Sequence, residues 1–268
     1  MAQGMTELNR AIAALPEARE LLLELDAGRC PAAVSGLSGV HRAQLAAALR
    51  QQTRRPLLVI CADESEARRT AGDLAVLLGE DVSLLFAREW QLRDRVSASH
   101  EWEQQRLGAL CRLANGGAGV LVATVDALMQ RTLPPGTLRG AVTDISLGGR
   151  FDLNALAGRL IEIGYVRAET VEGVGQFALR GGILDVWPPL SAPVRVEFFD
   201  DEVDAMGEFD VTTQRRTQNI KSLTVLPAAE VLPALSDGGR EKMLERLSRA
   251  AQKIEKKAAD SPIVQTLR

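Results

Sequence analysis

Three apolar runs, separated by segments with helical periodicity, constrain the fold of this chain more than any other feature. The runs are RPLLVICAD at 55–63, DVSLLFA at 81–87 and AGVLVATV at 118–125. Continuous apolar runs of this length are typical of strands that are buried on both faces. Because such strands alternate here with helices, we expect a doubly wound α/β domain with a parallel sheet over residues 1–138.

Signals at the ends of the intervening segments predict where helices begin and stop. We expect the first helix to be interrupted at Pro16, a short strand to form within 30–39, and a later helix to be capped by Ser65. Asp63 and Glu64 follow an apolar run, as the carboxylates of a nucleotide-hydrolysing site can do, but they come too early in the chain for that role. We interpret them as the acidic start of the next helix, where negative charge is favoured.

The sequence pattern changes near residue 140. A strand and a helix with Asp152 as its cap are followed by closely spaced strands with Gly or Pro turns, and these indicate a small α+β domain at 139–213. The remaining segment, 214–268, predicts one strand and a charged amphipathic helix. We interpret it as a truncated return segment of the companion domain, and we expect the chain to continue in a longer protein.

Composition argues against several functional classes. The formal net charge of −3 and the pI of about 5.6 lack the basic excess of a dedicated nucleic-acid-binding domain. Cys30, Cys61 and Cys111 are widely spaced, and together with the two histidines they predict neither a metal site nor a disulfide framework. Because neither a signal peptide nor a membrane-spanning run is evident, we expect a reducing, cytoplasmic location and no membrane partner.

The segment GLSGVHRA at 36–43 resembles a phosphate-binding loop in its position before a helix. That loop needs glycines that approach the phosphates, a lysine that binds them and a hydroxyl that binds magnesium. Gly36 and Gly39 remain here, but Arg42 holds the lysine position and Ala43 holds the hydroxyl position. We predict a degenerate nucleotide loop that binds neither ATP nor Mg²⁺, with no catalytic and no metal-binding residues. Plain turn glycines before a helix are the alternative.

The strand VRVEFF at 194–199 carries an unusual outer face. Strand alternation turns one set of side chains towards the core and the other outward, and the outward set is Arg195, Glu197 and Phe199. Arg180 faces outward in FALRGG by the same alternation. Because arginine and aromatic residues are enriched in protein interfaces, a shared face would form a docking surface. On these residues alone, an ordinary solvated strand face with Phe199 half-buried is the favoured alternative.

Two long motifs carry a family resemblance. They are GYVRAETVEGVGQFALRGGILDVWPP at 164–189 and VRVEFFDDEVDAMGEFDVTTQRR at 194–216. Both resemble the second domain of UvrB and, more closely, its counterpart in the transcription-repair coupling factor (Mfd) family. The resemblance implies a RecA-like first domain with a degenerate P-loop, and an inserted small α+β domain of the UvrB type that interacts with the repair protein UvrA.

For function, the resemblance implies a non-catalytic UvrB-homology module that recruits UvrA in transcription-coupled nucleotide excision repair, with Arg180, Arg195 and Phe199 in contact with UvrA. The full-length family protein resembles an ATP-dependent DNA translocase that displaces stalled RNA polymerase. Its sites for ATP, Mg²⁺, RNA polymerase and double-stranded DNA would lie outside these residues.

Two alternatives to this adaptor function stay open. One is a UvrB-like fragment with helicase character that binds ATP and damaged DNA and uses residues 36–43. The missing lysine argues against it. The other is direct contact with damaged DNA, and the presence of a single tyrosine, Tyr165, argues against an aromatic DNA-binding hairpin.

Overall fold

The computed structural model describes residues 2–88, 100–117 and 119–255 of the chain. Its helices are α1 (Ala2–Ala13), α2 (Pro16–Asp26), α3 (Gly39–Thr53), α4 (Glu64–Leu78), α5 (His100–Ala114), α6 (Val125–Met129), α7 (Pro135–Ala141), α8 (Leu153–Glu162) and α9 (Gly239–Glu255). Its strands are β1 (Leu57–Cys61), β2 (Val82–Leu85), β3 (Val120–Thr124), β4 (Thr143–Ser146), β5 (Val166–Arg167), β6 (Gln176–Arg180), β7 (Ile183–Val186), β8 (Val194–Phe199), β9 (Glu202–Phe209), β10 (Arg216–Asn219) and β11 (Ser222–Val225).

Contacts divide the described residues into two compact units. The first unit takes in 2–87, 115–117 and 119–131, and the second takes in 88, 100–114 and 132–255. Helix α5 therefore belongs with the second unit, although it lies between β2 and β3 in the chain. No described helix combines the length and the apolar character that a membrane crossing requires.

A three-stranded parallel sheet in the order β1-β3-β2 lies at the centre of the first unit. The prediction of an α/β architecture with a parallel sheet is confirmed. The middle strand, β3, is buried along its whole length. Helix α4 packs against all three strands. The residues that it buries follow the helical repeat, and they are Ala67, Ala71, Leu74 and Leu77.

Two predictions about this unit are wrong. The run 55–63 is not buried on both faces, because the side chains of Leu58 and Ile60 in β1 are exposed. The predicted strand within 30–39 does not form: residues 30–38 have no regular structure and α3 already begins at Gly39.

Helix boundaries follow short-range signals more closely. The first helical segment is interrupted just before Pro16, as predicted. Ser65 is not a cap, since it lies inside α4. The cap is Asp63, whose carboxylate accepts a hydrogen bond from the backbone N–H of Glu66 at 2.8 Å. Asp152 caps α8 in the same way, as predicted, by accepting a hydrogen bond from the backbone N–H of Ala155 at 2.8 Å.

A six-stranded sheet in the order β10-β9-β8-β7-β6-β5 dominates the second unit. Its neighbouring strands are antiparallel, except that β5 and β6 run parallel. Helix α8 shares one core with the inner face of this sheet. Residues of that core include Leu156, Leu160, Phe177, Leu184, Val196 and Met206. The opposite, outer face of the sheet carries a smaller buried cluster of Val171, Ala178 and Phe209.

Two further contacts organise the second unit. Strand β11 pairs with β4 in a separate antiparallel sheet, with Leu223 opposite Ile145. Beyond β11, the buried carboxylate of Glu230 accepts hydrogen bonds from Nε of Arg106 at 2.8 Å and from Nη2 of Arg106 at 3.3 Å. Both side chains are almost fully excluded from solvent. This bidentate ion pair joins the segment after β11 to helix α5.

Candidate functional site

The outer face of the six-stranded sheet contains one buried carboxylate, that of Asp185 in β7. Its neighbours Leu184 and Val186 belong to the core. Alternation therefore turns Asp185 to the outer face, directly opposite Arg195 of β8. The Asp185 side chain is only 1% exposed. A carboxylate buried to this extent needs cationic hydrogen-bond donors around it.

Asp185 binds two of the predicted UvrA-contacting residues. Arg195 donates from Nε to Oδ1 at 2.6 Å and from Nη2 to Oδ2 at 2.9 Å, which is a bidentate pair. Arg180, at the end of β6, donates from Nη2 to Oδ2 at 2.7 Å. The structure thus brings Arg180 and Arg195 together on one face of the sheet, with a shared aspartate between them.

Arg195 has further partners on its other side. It donates from Nη1 to the backbone oxygen of Gln214 at 3.2 Å and from Nη2 to Oε1 of Gln214 at 2.9 Å. Its guanidinium carbon lies 4.9 Å from the ring centroid of Phe209, within the range of a cation–π contact. Hydrogen bonding to Asp185 raises the pKa of Arg195 above its ordinary value, so this side chain stays charged.

The loop between β9 and β10 fixes Gln214 against Arg195. Oδ1 of Asp210 accepts hydrogen bonds from the backbone N–H of Thr213 at 2.7 Å and from its hydroxyl at 2.9 Å, and these bonds lower the pKa of Asp210. The backbone N–H of Gln214 donates to the backbone oxygen of Asp210 at 2.7 Å. Gln214 adopts a left-handed conformation with φ of 58°. Such a backbone costs a non-glycine residue about 1 kcal/mol or more, so the surrounding contacts must hold it.

Phe199 is the third predicted contact residue. It ends β8, immediately before the two residues that connect β8 to β9. Alternation places it on the outer face with Arg195 and Glu197. It is 80% exposed, which is far more than the half-buried alternative would require. Glu197, which lies between Arg195 and Phe199 along β8, forms an ion pair with Arg216 of β10.

In the loop at 36–43, the arginine at the predicted lysine position pairs with a carboxylate. Gly36 has a left-handed backbone with φ of 80°, and Gly39 is the first residue of α3. Nη1 of Arg42 donates to Oε1 of Glu66 at 3.2 Å, and Ala43 is buried. Gly39, Arg42, Ala43 and Glu66 line a cavity of about 110 Å³. Because a carboxylate is already bound to Arg42, its negative charge opposes the entry of a phosphate.

Comparison with known proteins shows that the residues of the outer face lie within a known domain family. Residues 143–231 match the family model of the UvrB interaction domain. The chain carries a UvrB interaction domain. Its limits take in β4, α8, the whole six-stranded sheet and β11. Asp185, Arg180, Arg195, Phe199 and Gln214 all lie inside it.

Similar proteins are transcription-repair-coupling factors. The one from Myxococcus xanthus is 38% identical over 206 residues, which cover 74% of this chain and 17% of that protein. The one from Bacillus subtilis (strain 168) is 36% identical over 202 residues, 74% of this chain and 17% of that protein. The one from Escherichia coli (strain K12) is 31% identical over 217 residues, 81% of this chain and 19% of that protein. The resemblance identified from the motifs is confirmed, and the chain spans less than a fifth of the length of these relatives.

The two hydrogen-bond partners of Arg195, Asp185 and Gln214, were not predicted from the sequence. Asp185 is a lone charge in the apolar strand ILDV, and alternation could have placed it beside Arg195. Gln214 gave no comparable signal, because its side chain reaches Arg195 only through the fold of the loop. Within the ranges that the structure describes, no group of histidine, cysteine and acidic side chains is arranged as a metal site.

Proposed function

We propose that this chain is a UvrA-docking module that recruits UvrA in transcription-coupled nucleotide excision repair. The observation that carries the proposal is the outer face of the UvrB interaction domain, on which Arg180 and Arg195 share Asp185 and Phe199 projects into solvent. The similarity to transcription-repair-coupling factors supports the process in which the module would act.

The chemistry of this face suits a protein partner. Arg180, Arg195 and Asp185 together carry one net positive charge, and guanidinium N–H groups form strong, directed hydrogen bonds to carboxylates. Phe199 offers a rigid apolar ring that can fill a pocket on the partner. Arginine and aromatic side chains are both enriched in protein interfaces, and a few anchors of this kind carry most of the binding energy. UvrA would therefore supply an acidic group next to an apolar pocket.

We propose that the module itself is not an enzyme and that residues 36–43 bind neither ATP nor Mg²⁺. The ion pair between Arg42 and Glu66 and the methyl side chain of Ala43 support this proposal. A nucleotide titration of the chain should therefore give no binding. In the whole protein, we propose that ATP-dependent translocation on double-stranded DNA and the contact with RNA polymerase belong to other residues, and that the protein acts in the cytoplasm.

The test is the affinity of the purified chain for UvrA, measured at equilibrium for the wild type and for variants. Arg180→Ala and Phe199→Ala should each weaken binding about thirtyfold, because removal of an interface anchor costs about 2 kcal/mol. Phe199 is 80% exposed, and in Arg180→Ala the buried Asp185 keeps its bidentate pair with Arg195, so both variants should stay folded and unfold thermally close to the wild type.

Matched controls come from exposed residues elsewhere on the same domain. Arg167→Ala removes an exposed arginine of β5, and Ile161→Ala removes an exposed apolar side chain of α8. Both should bind UvrA like the wild type. The proposal is wrong if the wild-type chain does not bind UvrA, or if Arg180→Ala and Phe199→Ala bind as tightly as these controls.

A further inference from the structure

The two arginines of the outer face differ in how many of their hydrogen-bond donors are in use. A guanidinium has five N–H groups. Arg195 makes four hydrogen bonds within the domain, two to Asp185 and two to Gln214. Its side chain is only 19% exposed. Arg195 therefore has little left to offer a partner.

Arg180 is in the opposite situation. Its one hydrogen bond within the described structure goes from Nη2 to Asp185, and its side chain is 49% exposed. Four of its five N–H groups remain available to a partner. Arg180 also ends β6 at the turn that leads into β7. The backbone oxygen of Gly182 in that turn accepts a hydrogen bond from the N–H of Phe198, the residue next to Phe199. Strand β7 lies between β6 and β8, so Arg180 and Phe199 end two strands that finish at the same end of the sheet, one strand apart.

We infer that Arg195 is a positioning residue, which orients Arg180 through Asp185, and that Arg180 and Phe199 make the contacts with the partner. This inference rests on the proposed function and assigns separate roles to residues of the same surface. We call Asp185, Arg180, Arg195 and Gln214 the Asp185 cluster.

The geometry of the Asp185 cluster explains how Arg195 can orient Arg180 without touching it. The bidentate pair with Arg195 fixes the plane of the Asp185 carboxylate, because both oxygens are held at once. Oδ2 is then aimed at Nη2 of Arg180. Without this fixed oxygen, Arg180 would have to lose the rotational freedom of a long side chain on binding, which costs affinity.

The loop that carries Gln214 supports the same assignment. The motif FDVTTQR supplies Phe209 beneath Arg195, Asp210 as the residue that folds the loop, and Gln214 as the acceptor. Gln214 keeps an unfavourable left-handed backbone while both of its oxygens bind Arg195. These contacts immobilise Arg195 and occupy most of its N–H groups, which leaves few donors for a partner.

A double-mutant cycle separates positioning from contact. UvrA affinity is measured for the wild-type chain, Arg180→Ala, Arg195→Ala and the double variant. We expect Arg180→Ala to lose about thirtyfold, Arg195→Ala to lose no more than that, and the double variant to bind no more weakly than Arg180→Ala alone. The dependence of affinity on salt should fall in Arg180→Ala and should not fall further in the double variant, because Arg195 forms no ion pair with the partner.

Asp185→Asn provides a second test of the positioning role, because it leaves Arg195 in place and nearly preserves the shape of the side chain at position 185. Positioning predicts weaker binding by Asp185→Asn, and no further loss when Arg180→Ala is added. Direct contact by Arg195 predicts instead that Asp185→Asn binds at least as well as the wild type, since Arg195 gains free donors. Arg216→Ala is the matched control, because Arg216 is an arginine of the same face that pairs with Glu197 and not with Asp185. It should bind like the wild type.

The outcomes distinguish this inference from the function on which it rests. If Arg195→Ala multiplies the loss of Arg180→Ala to about a thousandfold in total, Arg195 contacts the partner directly and the positioning role is wrong, while the docking function stands. Binding like the wild type by Asp185→Asn overturns the positioning role in the same way. If neither Arg180→Ala nor Phe199→Ala affects UvrA binding, the proposed function fails and the positioning role fails with it.

Discussion

Burial divides the three cysteines into two chemical classes. Cys30 is exposed, whereas Cys61 and Cys111 are buried. Desolvation raises the pKa of the Cys61 thiol, and it raises the pKa of the Cys111 thiol to about 11. The thiolate is the reactive form, and with a pKa near 11 about one thiol in a thousand is ionised at pH 8.

Alkylation of the native chain should therefore be selective. With iodoacetamide at about pH 8, we expect Cys30 to react first, and we expect Cys61 and Cys111 to react only after denaturation. Peptide mass spectrometry at a series of times gives the three rates. Labelling in urea is the control, since it should make the three rates similar. Rapid labelling of Cys111 in the native chain would contradict its burial.

The sequence pattern predicted which side chains lie on the outer face, but it did not predict how they are hydrogen-bonded. Strand alternation was enough to place Arg195 and Phe199 outward, because the period of a strand is fixed by its backbone. Alternation gives no information about which donors are already occupied. The division between a saturated Arg195 and an available Arg180 depends on Gln214, which a loop brings into contact from 19 residues away. That contact is tertiary, and no local pattern encodes it.

Two glycines show how the surroundings of an element decide the effect of one methyl group. Gly158 lies on the exposed side of α8, and a Cβ atom there would meet nothing within 4 Å. Gly207 lies in β9 opposite Arg195, where a Cβ atom would be 2.5 Å from the backbone oxygen of Gln218 and 2.9 Å from Cδ of Arg216. The first position has space for a side chain and the second does not.

Alanine at these positions should change stability in opposite directions. Gly158→Ala should raise the free energy of unfolding by about 0.5–1 kcal/mol, because alanine favours the helix and restricts the unfolded chain. Gly207→Ala should lower it by about 1–3 kcal/mol, because β9 and β10 must separate to admit the methyl group. Urea unfolding followed by circular dichroism measures both changes, and each variant serves as the control for the other. Equal effects of the two variants would show that the space around each Cβ position does not decide the outcome.

At the level of elements, the sequence predicted whether a segment forms a helix or a strand better than it predicted the burial of that segment. The apolar run at 55–63 forms a strand, but the burial of its two faces depends on which elements pack over the sheet, and Leu58 and Ile60 stay exposed. Capping had a similar limit. Both Asp63 and Ser65 are suitable cap residues, and the choice between them depends on where the strand before α4 ends.

The connectivity of the whole molecule depends on contacts between distant parts of the chain. Helix α5 lies between two strands of the parallel sheet in sequence but packs with the second unit. The ion pair of Arg106 with Glu230 joins residues that are 124 positions apart. Alternating strands and helices predict neighbours along the chain. They do not predict a helix that packs in another unit.

This buried ion pair should therefore dominate the stability of the second unit among its charged contacts. Glu230→Gln keeps the shape of the side chain but removes the charge that Nε and Nη2 of Arg106 bind. The remaining charge lies in an environment with about 1% exposure. Removing one member of a buried pair costs about 3–5 kcal/mol, since the other member stays desolvated and loses the charge-assisted hydrogen bonds that the carboxylate accepted. The exposed pair of Glu245 with Arg249 in α9 is the matched control, and Glu245→Gln should cost no more than about 0.5 kcal/mol. Urea unfolding gives both values, and a loss for Glu230→Gln as small as that of the control would show that the pair contributes no more to the stability of the second unit than a surface contact.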